Sequence, residues 1–155
     1  MPNITEATIA DLKTLAALFD EYRLFYHKNS DISGAENFLK ERLEKGDSKI
    51  FLAKENNQTV GFTQLFPIFS STRMKRYWLL NDLFVNEIFR GKGHSKRLLE
   101  AAKNWAVATK SCGILLETDK TNLIGNQLYP SCGFKLYDHA NFYEWTPANE
   151  NKISE

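Results

Sequence analysis

Few cysteines, almost no net charge and no long apolar run are the first features of this 155-residue chain. Two cysteines, Cys112 and Cys132, are too few for a disulfide scaffold and fit a reducing cytoplasm as buried or inert thiols. A formal net charge of +1 points neither to nucleic acid nor to an anionic membrane surface. No stretch approaches the ~18 apolar residues of a membrane span. The opening "MPNITEATIADLKTL" carries charges where a signal peptide needs an apolar core. These absences lead to the expectation of a soluble, cytoplasmic protein with no nucleic-acid and no membrane partner.

What is present is enough apolar material for one core. The chain is 43% hydrophobic and 13% aromatic, without internal repeats or a low-complexity linker. One domain is expected over residues 1–147, with a polar tail over 148–155.

Periodicity supplies the elements. "NITEAT" reads as a strand. "IADLKTLAALFDEYRLFY" sets Leu12, Leu15, Leu18, Phe19, Tyr22, Phe25 and Tyr26 on one helical face. "GAENFLKERLEKG" is a second helix, ended by Gly46. Two strands around a polar turn follow, 50–55 and 59–66, then a loop, then the nearly continuous apolar strand "YWLLNDLFVN". An amphipathic helix covers 95–110, "GILLET" is the next strand, and "NLIGNQLYPS" a short helix. "FKLYD" and "FYEWT" read as two closing strands. The class is mixed α/β (α+β): antiparallel at first, with a parallel crossover around the helix at 95–110.

The hexapeptide "RGKGHS", 90–95, stands where the central strand turns into that helix. The first turn of a helix leaves N–H groups without intrahelical partners, and its dipole favours an anion. Gly91 and Gly93 let phosphate oxygens approach the backbone, and Arg90, Lys92 and Lys96 add charge. A solvated glycine turn is the plainer alternative. A Walker A spacing is absent, and a dinucleotide fingerprint beginning at Gly91 would set Lys96 where a third glycine is needed.

The stretch "LLNDLFVNEIFRGKGHSKRLLEAAKNWA" resembles the acetyl-CoA-binding segment of the GNAT superfamily of N-acetyltransferases, whose loop reads [QR]-x-x-G-x-[GA]. Arg90 and Gly93 fill their places, and Ser95 stands where Gly or Ala is usual; a serine there can cap the helix. "NLIGNQLYPSCGF" resembles the family's N-x-x-A-x-x-L-Y-x-x-x-G-F segment through Asn122, Leu128, Tyr129, Gly133 and Phe134, with Gly125 in place of Ala. "LNDLFV" and "EYRLFY" are similar to the diamine (spermidine/spermine) acetyltransferase-like branch, although Asn81 stands where that branch carries Glu.

The resemblance implies a mostly antiparallel, twisted sheet of six to seven strands, about four helices and a splayed central strand pair. It implies acetyl-CoA as co-substrate, no metal, and direct attack of an amine in a ternary complex. Backbone groups of Leu83, Phe84 and Val85 would pair with the pantetheine arm, and residues Arg90, Gly91, Lys92, Gly93, His94 and Ser95 would hold the pyrophosphate. Plain core packing is the alternative for the side chains at 83–85. His94 would face solvent or the coenzyme. Asn122 would either hydrogen-bond the pantetheine or cap its helix.

The resemblance makes Tyr129 the general acid; a buried aromatic at helical spacing is the alternative. A phenol, with a reference pKa of ~10, is protonated and able to donate at neutral pH. The base must take a proton from an alkylammonium. Asp82 is the first choice, sharing a strand face with Phe84, and Glu117 on the next strand the second; either could instead be structural or an electrostatic lure. Tyr22, Tyr26, Tyr77 and Trp78 could line an acceptor pocket, since aromatic faces favour cations, or could be core. The expected function is acetylation of a primary amine of a small molecule such as a polyamine or amino acid. Acetylation of a protein N-terminus or lysine, and non-catalytic CoA sensing, are the alternatives. The resemblance implies a homodimer, at which the exposed-looking aromatics of "NFYEW" hint; a core strand would read identically.

Overall fold

The computed structural model describes residues 3–149 of the chain. Five strands form one sheet in the order β1-β2-β3-β4-β5. They are β1 (Asn3–Glu6), β2 (Lys49–Glu55), β3 (Gln58–Ser70), β4 (Lys75–Val85) and β5 (Ile114–Leu115). The first four pair antiparallel, and β5 runs parallel to β4. The parallel step is the crossover expected around α3 (His94–Ala108).

α1 (Leu12–Phe25) buries Leu12, Leu15, Ala16 and Leu18 and packs Phe19 and Tyr22 partly against the core, whereas Phe25 and Tyr26, expected on the same face, are 53 and 45% exposed where the helix runs past the sheet. α2 (Ile32–Lys45) starts where the Asp31 carboxylate accepts the Gly34 N–H at 2.9 Å and stops at Gly46, which is left-handed (φ 61°) and donates to the Arg42 carbonyl. Between α1 and α2, buried Asp20 accepts from the Ser30 hydroxyl and the Asp31 N–H, both at 2.7 Å. These bonds hold its carboxyl below the usual range and fix the end of α1 that carries Tyr22 and Tyr26.

The two helices cover one face of the sheet, packing on Ile50, Leu52, Phe62 and Phe84. α3 covers the other through Leu98, Leu99, Ala102 and Ala106, against Leu65, Trp78, Leu80 and Val85. The sheet is thus sandwiched, and its β4–β5 end holds the last helix, α4 (Leu123–Ser131).

Two features depart from the sequence reading. Five strands are present among the described residues, not six to seven. "GILLET" forms a strand at only two residues, and "FKLYD" and "FYEWT" form neither helix nor strand. Alternating apolar side chains suit a strand, but a strand also needs a neighbour for its backbone, and none pairs with these segments among the described residues. The second departure is a bulge in β4. Gln64 faces Asp82 while Leu65 faces Leu80, leaving Asn81 without an opposite residue. Of the expected tail, residues 150–155 lie outside the described residues, and no helix among the described ones is long and apolar enough to cross a membrane.

Candidate active site

The bulge decides what β4 presents to each side. Before it, Trp78 and Leu80 point towards α3; after it, Asp82 and Phe84 point towards α1. Strict alternation would place Trp78 with Asp82. Instead Trp78 is 3% exposed beneath α3, its indole N–H donating to Thr109 at 2.9 Å. The expectation that Trp78 lines an acceptor pocket is therefore corrected: the extra residue at Asn81 moves it to the opposite face. Tyr77, at the same strand start, accepts from Arg73 at 2.9 Å and lies beside Gly113.

Asp82 is 4% exposed. Its carboxylate accepts from the Gln64 amide at 2.8 Å and from Asn81 at 3.2 Å, and the Tyr22 hydroxyl faces it. Gln64 in turn accepts from Ser48 at 2.9 Å. Burial pushes the Asp82 carboxyl above its usual value, although the three donors pull the other way. Burial and the neighbouring Asp82 charge hold the Tyr22 phenol protonated far above its ordinary range. Tyr26 stacks edge-on against Tyr22 with ring centroids 5.0 Å apart, and feels the charges of Asp82 and Asp119.

From the other side α4 brings Tyr129. Its ring meets Phe134 at 5.9 Å, and burial pushes its phenol up to about 12, with Tyr26 adding to the shift. The structure thus sets the Tyr22 hydroxyl on the buried Asp82 carboxylate, Tyr26 edge-on against Tyr22, and Tyr129 within electrostatic reach of both phenols. Glu117 does not join them: the residue is exposed beyond β5, where the chain has left the sheet. Gln64 and Asp119 are neighbours the sequence reading missed. Gln64 lies on an ordinary strand with nothing local to mark it, and Asp119 sits in an unremarkable polar loop.

β4 and β5 pair only at Trp78–Ile114 and Leu79–Leu115. Beyond Leu79 they part, so among the described residues the β5-facing edge of Leu83, Phe84 and Val85 has no strand beside it, while the other edge pairs with β3. This is the splayed strand pair expected from the sequence. The Leu83 and Val85 side chains pack under α3 and Phe84 under α1, so only the main chain is left to serve a ligand.

The 90–95 loop follows. Gly91 and Gly93 are both left-handed, at φ 77° and 82°. Gly93 is the N-cap of α3 and has no side chain to cap it, so the first-turn N–H groups stay open. Ser95 lies inside that first turn and not at the cap where the sequence put it. A Cβ on Gly91 would meet no protein atom within 4 Å. Open space, uncapped N–H groups and a helix dipole fit the diphosphate of a coenzyme.

Three basic residues of the loop have other partners. Arg90 donates from Nε to the Val85 carbonyl at 2.9 Å, and its guanidinium covers the Phe25 and Phe84 rings at 5.4 and 5.6 Å. It braces the strand end and does not stand free. Lys92 pairs with Glu55 at 2.8 Å, and the other Glu55 oxygen lies 2.8 Å from His94 Nε2. His94 is 2% exposed, so the expectation that it faces solvent or coenzyme is corrected: the first turn of α3 lies on β2 and buries it. Lys92, then His94, hold the Glu55 carboxyl below its usual value. Asn122 is a helix cap, accepting from the Gly125 N–H at 3.1 Å and donating to Thr118 at 2.9 Å. The hollows between α1 and the β2–β3 turn, and between β1 and α3, lie apart from Asp82 and its phenols.

A mixed sheet that splays beside a glycine-rich helix start, with a phenol from the following helix, is the arrangement that the sequence resemblance implies. The pattern of the Acetyltransferase (GNAT) family matches residues 15–134. The chain belongs to this family and is an acetyltransferase. It is 46% identical over 133 residues to an uncharacterized N-acetyltransferase, YhfO, of Bacillus subtilis, covering 86% of this chain and 89% of that one. A shorter match, 40% over 57 residues, is to a streptothricin acetyltransferase of Escherichia coli, covering 37% and 33% of the two chains. Among solved structures, that of a probable acetyltransferase superposes with a TM-score of 0.91 at 34% identity, covering 94% of this chain and 98% of the other.

Proposed function

We propose that the chain moves the acetyl group of acetyl-CoA to a primary amine of a small cationic molecule, with Tyr129 as general acid and Asp82 as base. The observation that carries this is the juxtaposition itself: the buried Asp82 carboxylate faces the Tyr22 hydroxyl, Tyr26 packs edge-on against Tyr22, and Tyr129 lies within electrostatic reach of both phenols, beside the splayed strands.

Acetyl-CoA supplies the thioester. Main-chain groups of 83–85 and the 90–96 turn position it, and one N–H there polarises the carbonyl. Asp82 takes one proton from the ammonium, directly or through the Tyr22 hydroxyl. The free amine forms the C–N bond as the C–S bond breaks, and the amide nitrogen gives its second proton to water. Tyr129 protonates the departing sulfur and is reprotonated from solvent, so one proton is released per turnover. The aromatic faces of Tyr22 and Tyr26 and the carboxylates of Asp82 and Asp119 favour a cationic acceptor. The matched segment of streptothricin acetyltransferase supports an amine-bearing small molecule. A polyamine, as in the diamine-like branch, is one member of this class.

The test is thiol release from acetyl-CoA across a panel of diamines, amino acids and aminated antibiotics, with Tyr129→Phe in parallel. Turnover of at least one small cationic amine, reduced about 10²-fold or more in the variant, is expected. Turnover only with peptides, or an unaffected variant, contradicts the reading.

A further inference from the structure

Gln64 is a polar side chain at a core position. It is fully buried on β3, two residues beyond Phe62 and so on the face that Phe62 presents to α1. A buried amide is tolerated when both its ends are bonded, and here both are. Its nitrogen donates to the Asp82 carboxylate at 2.8 Å, and its oxygen accepts from the Ser48 hydroxyl at 2.9 Å. The adjacent Thr63, also fully buried, donates its hydroxyl to the Asp82 carbonyl at 2.8 Å. β3 therefore grips Asp82 by main chain and side chain, right beside the bulge.

An ionised carboxylate can only accept hydrogen bonds, so it takes the nitrogen end of an amide. A protonated one can donate, and is met by the oxygen end. A hydroxyl does either, so Ser48 serves the amide in both orientations. The Ser48–Gln64–Asp82 chain thus stays bonded whether or not Asp82 carries a proton, through a half-turn of the amide and without backbone movement. A lysine at position 64 would lock the charge in place, and a leucine would leave the carboxylate without its β3 donor. An amide suits a carboxyl that gains and loses a proton in each turnover.

We infer that Gln64, oriented by Ser48, is a positioning residue that holds the Asp82 carboxylate in place and ready to take a proton. Its part in turnover rests on the reading of Asp82 as base. The groups that face Asp82 are Gln64 of β3, Asn81 of β4, and Tyr22 and Tyr26 of α1, none of them a cation; Tyr129 of α4 and Asp119 act on these phenols from further out. Burial pushes the carboxyl up, and Gln64 is the foremost of the groups that draw it back, ahead of Tyr22 and Asn81.

Carbon-13 carboxyl NMR of aspartate-labelled protein tests this, with Asp82→Asn to identify the resonance. The Asp82 signal should titrate at a higher pH in Gln64→Leu than in wild type. It should move the same way, by less, in Ser48→Ala, where the protein loses only a half-buried hydroxyl. Titration as in wild type in both variants overturns the inference, whatever their melting temperatures. In thiol-release assays with the amine found by the panel, Gln64→Leu should lower kcat about tenfold at neutral pH, move the acidic limb of the rate profile upwards and leave KM for acetyl-CoA unchanged. A signal that moves while the rate profile stays fixed means that Asp82 is not the base, and the positioning role falls with it. If no amine turns over, the proposed function fails on its own, and the NMR titration alone decides whether Gln64 holds the carboxylate.

Discussion

At the scale of single residues, Asp82 carries the account. Its carboxyl is raised in the folded chain by burial, so folding holds its proton more tightly than the unfolded chain does. Above the folded value, the ionised group is buried at a cost to stability; below the unfolded value near 3.8 that cost is gone. Asp82→Asn should therefore melt higher than wild type at neutral pH, and the difference should vanish as the pH falls below 4. The same variant should lose most of kcat/KM. A variant that melts lower at pH 7, by scanning calorimetry, would show that the charge is a structural asset and not a reserve for catalysis. Glu55 is the contrasting case. Its role is to satisfy His94, whose other ring nitrogen is already buried without a partner. Glu55→Ala should lower the melting temperature by several degrees, and adding His94→Leu should recover much of it, because removing both partners is far less costly than orphaning one.

At the scale of elements, the start of α3 and the bulge in β4 do most to place the site. Left-handed φ at Gly93 costs a side-chain-bearing residue about 1–2 kcal/mol. A Cβ there would also sit 3.3 Å from Arg97 Nη1. Gly93→Val should raise KM for acetyl-CoA about tenfold or more, with kcat at saturation little changed. An equal fall in kcat would mean that the loop acts on the chemistry and not on binding. Deleting Asn81 would remove the bulge and force either Trp78 or Asp82 onto the wrong face. The helices, their stripes and the Gly46 stop were legible in the sequence because local periodicity and capping specify them. The bulge was not, since an extra residue shows only against the partner strand. Nor was the burial of His94, which depends on Glu55, 39 residues away. The Asp82–Phe84 face was legible because the bulge falls just before it, and Trp78 was misassigned because it falls just after.

At the scale of the whole molecule, α1 and α4 close on the two sides of the splayed β4 edge, and the core on either face of the sheet holds them there. The family was legible in the loop and Tyr129 motifs, since each needs particular residues at fixed spacing. The closing strands were misread: their alternating pattern is present, but among the described residues no strand pairs with them. The central claim is that main-chain groups at the β4 edge and the α3 start hold acetyl-CoA. Hydrogen exchange of the protein with and without saturating acetyl-CoA tests it most directly. Protection is expected to appear at the amides of 83–85 and 90–96; protection confined to other segments, with these unchanged, would contradict the account.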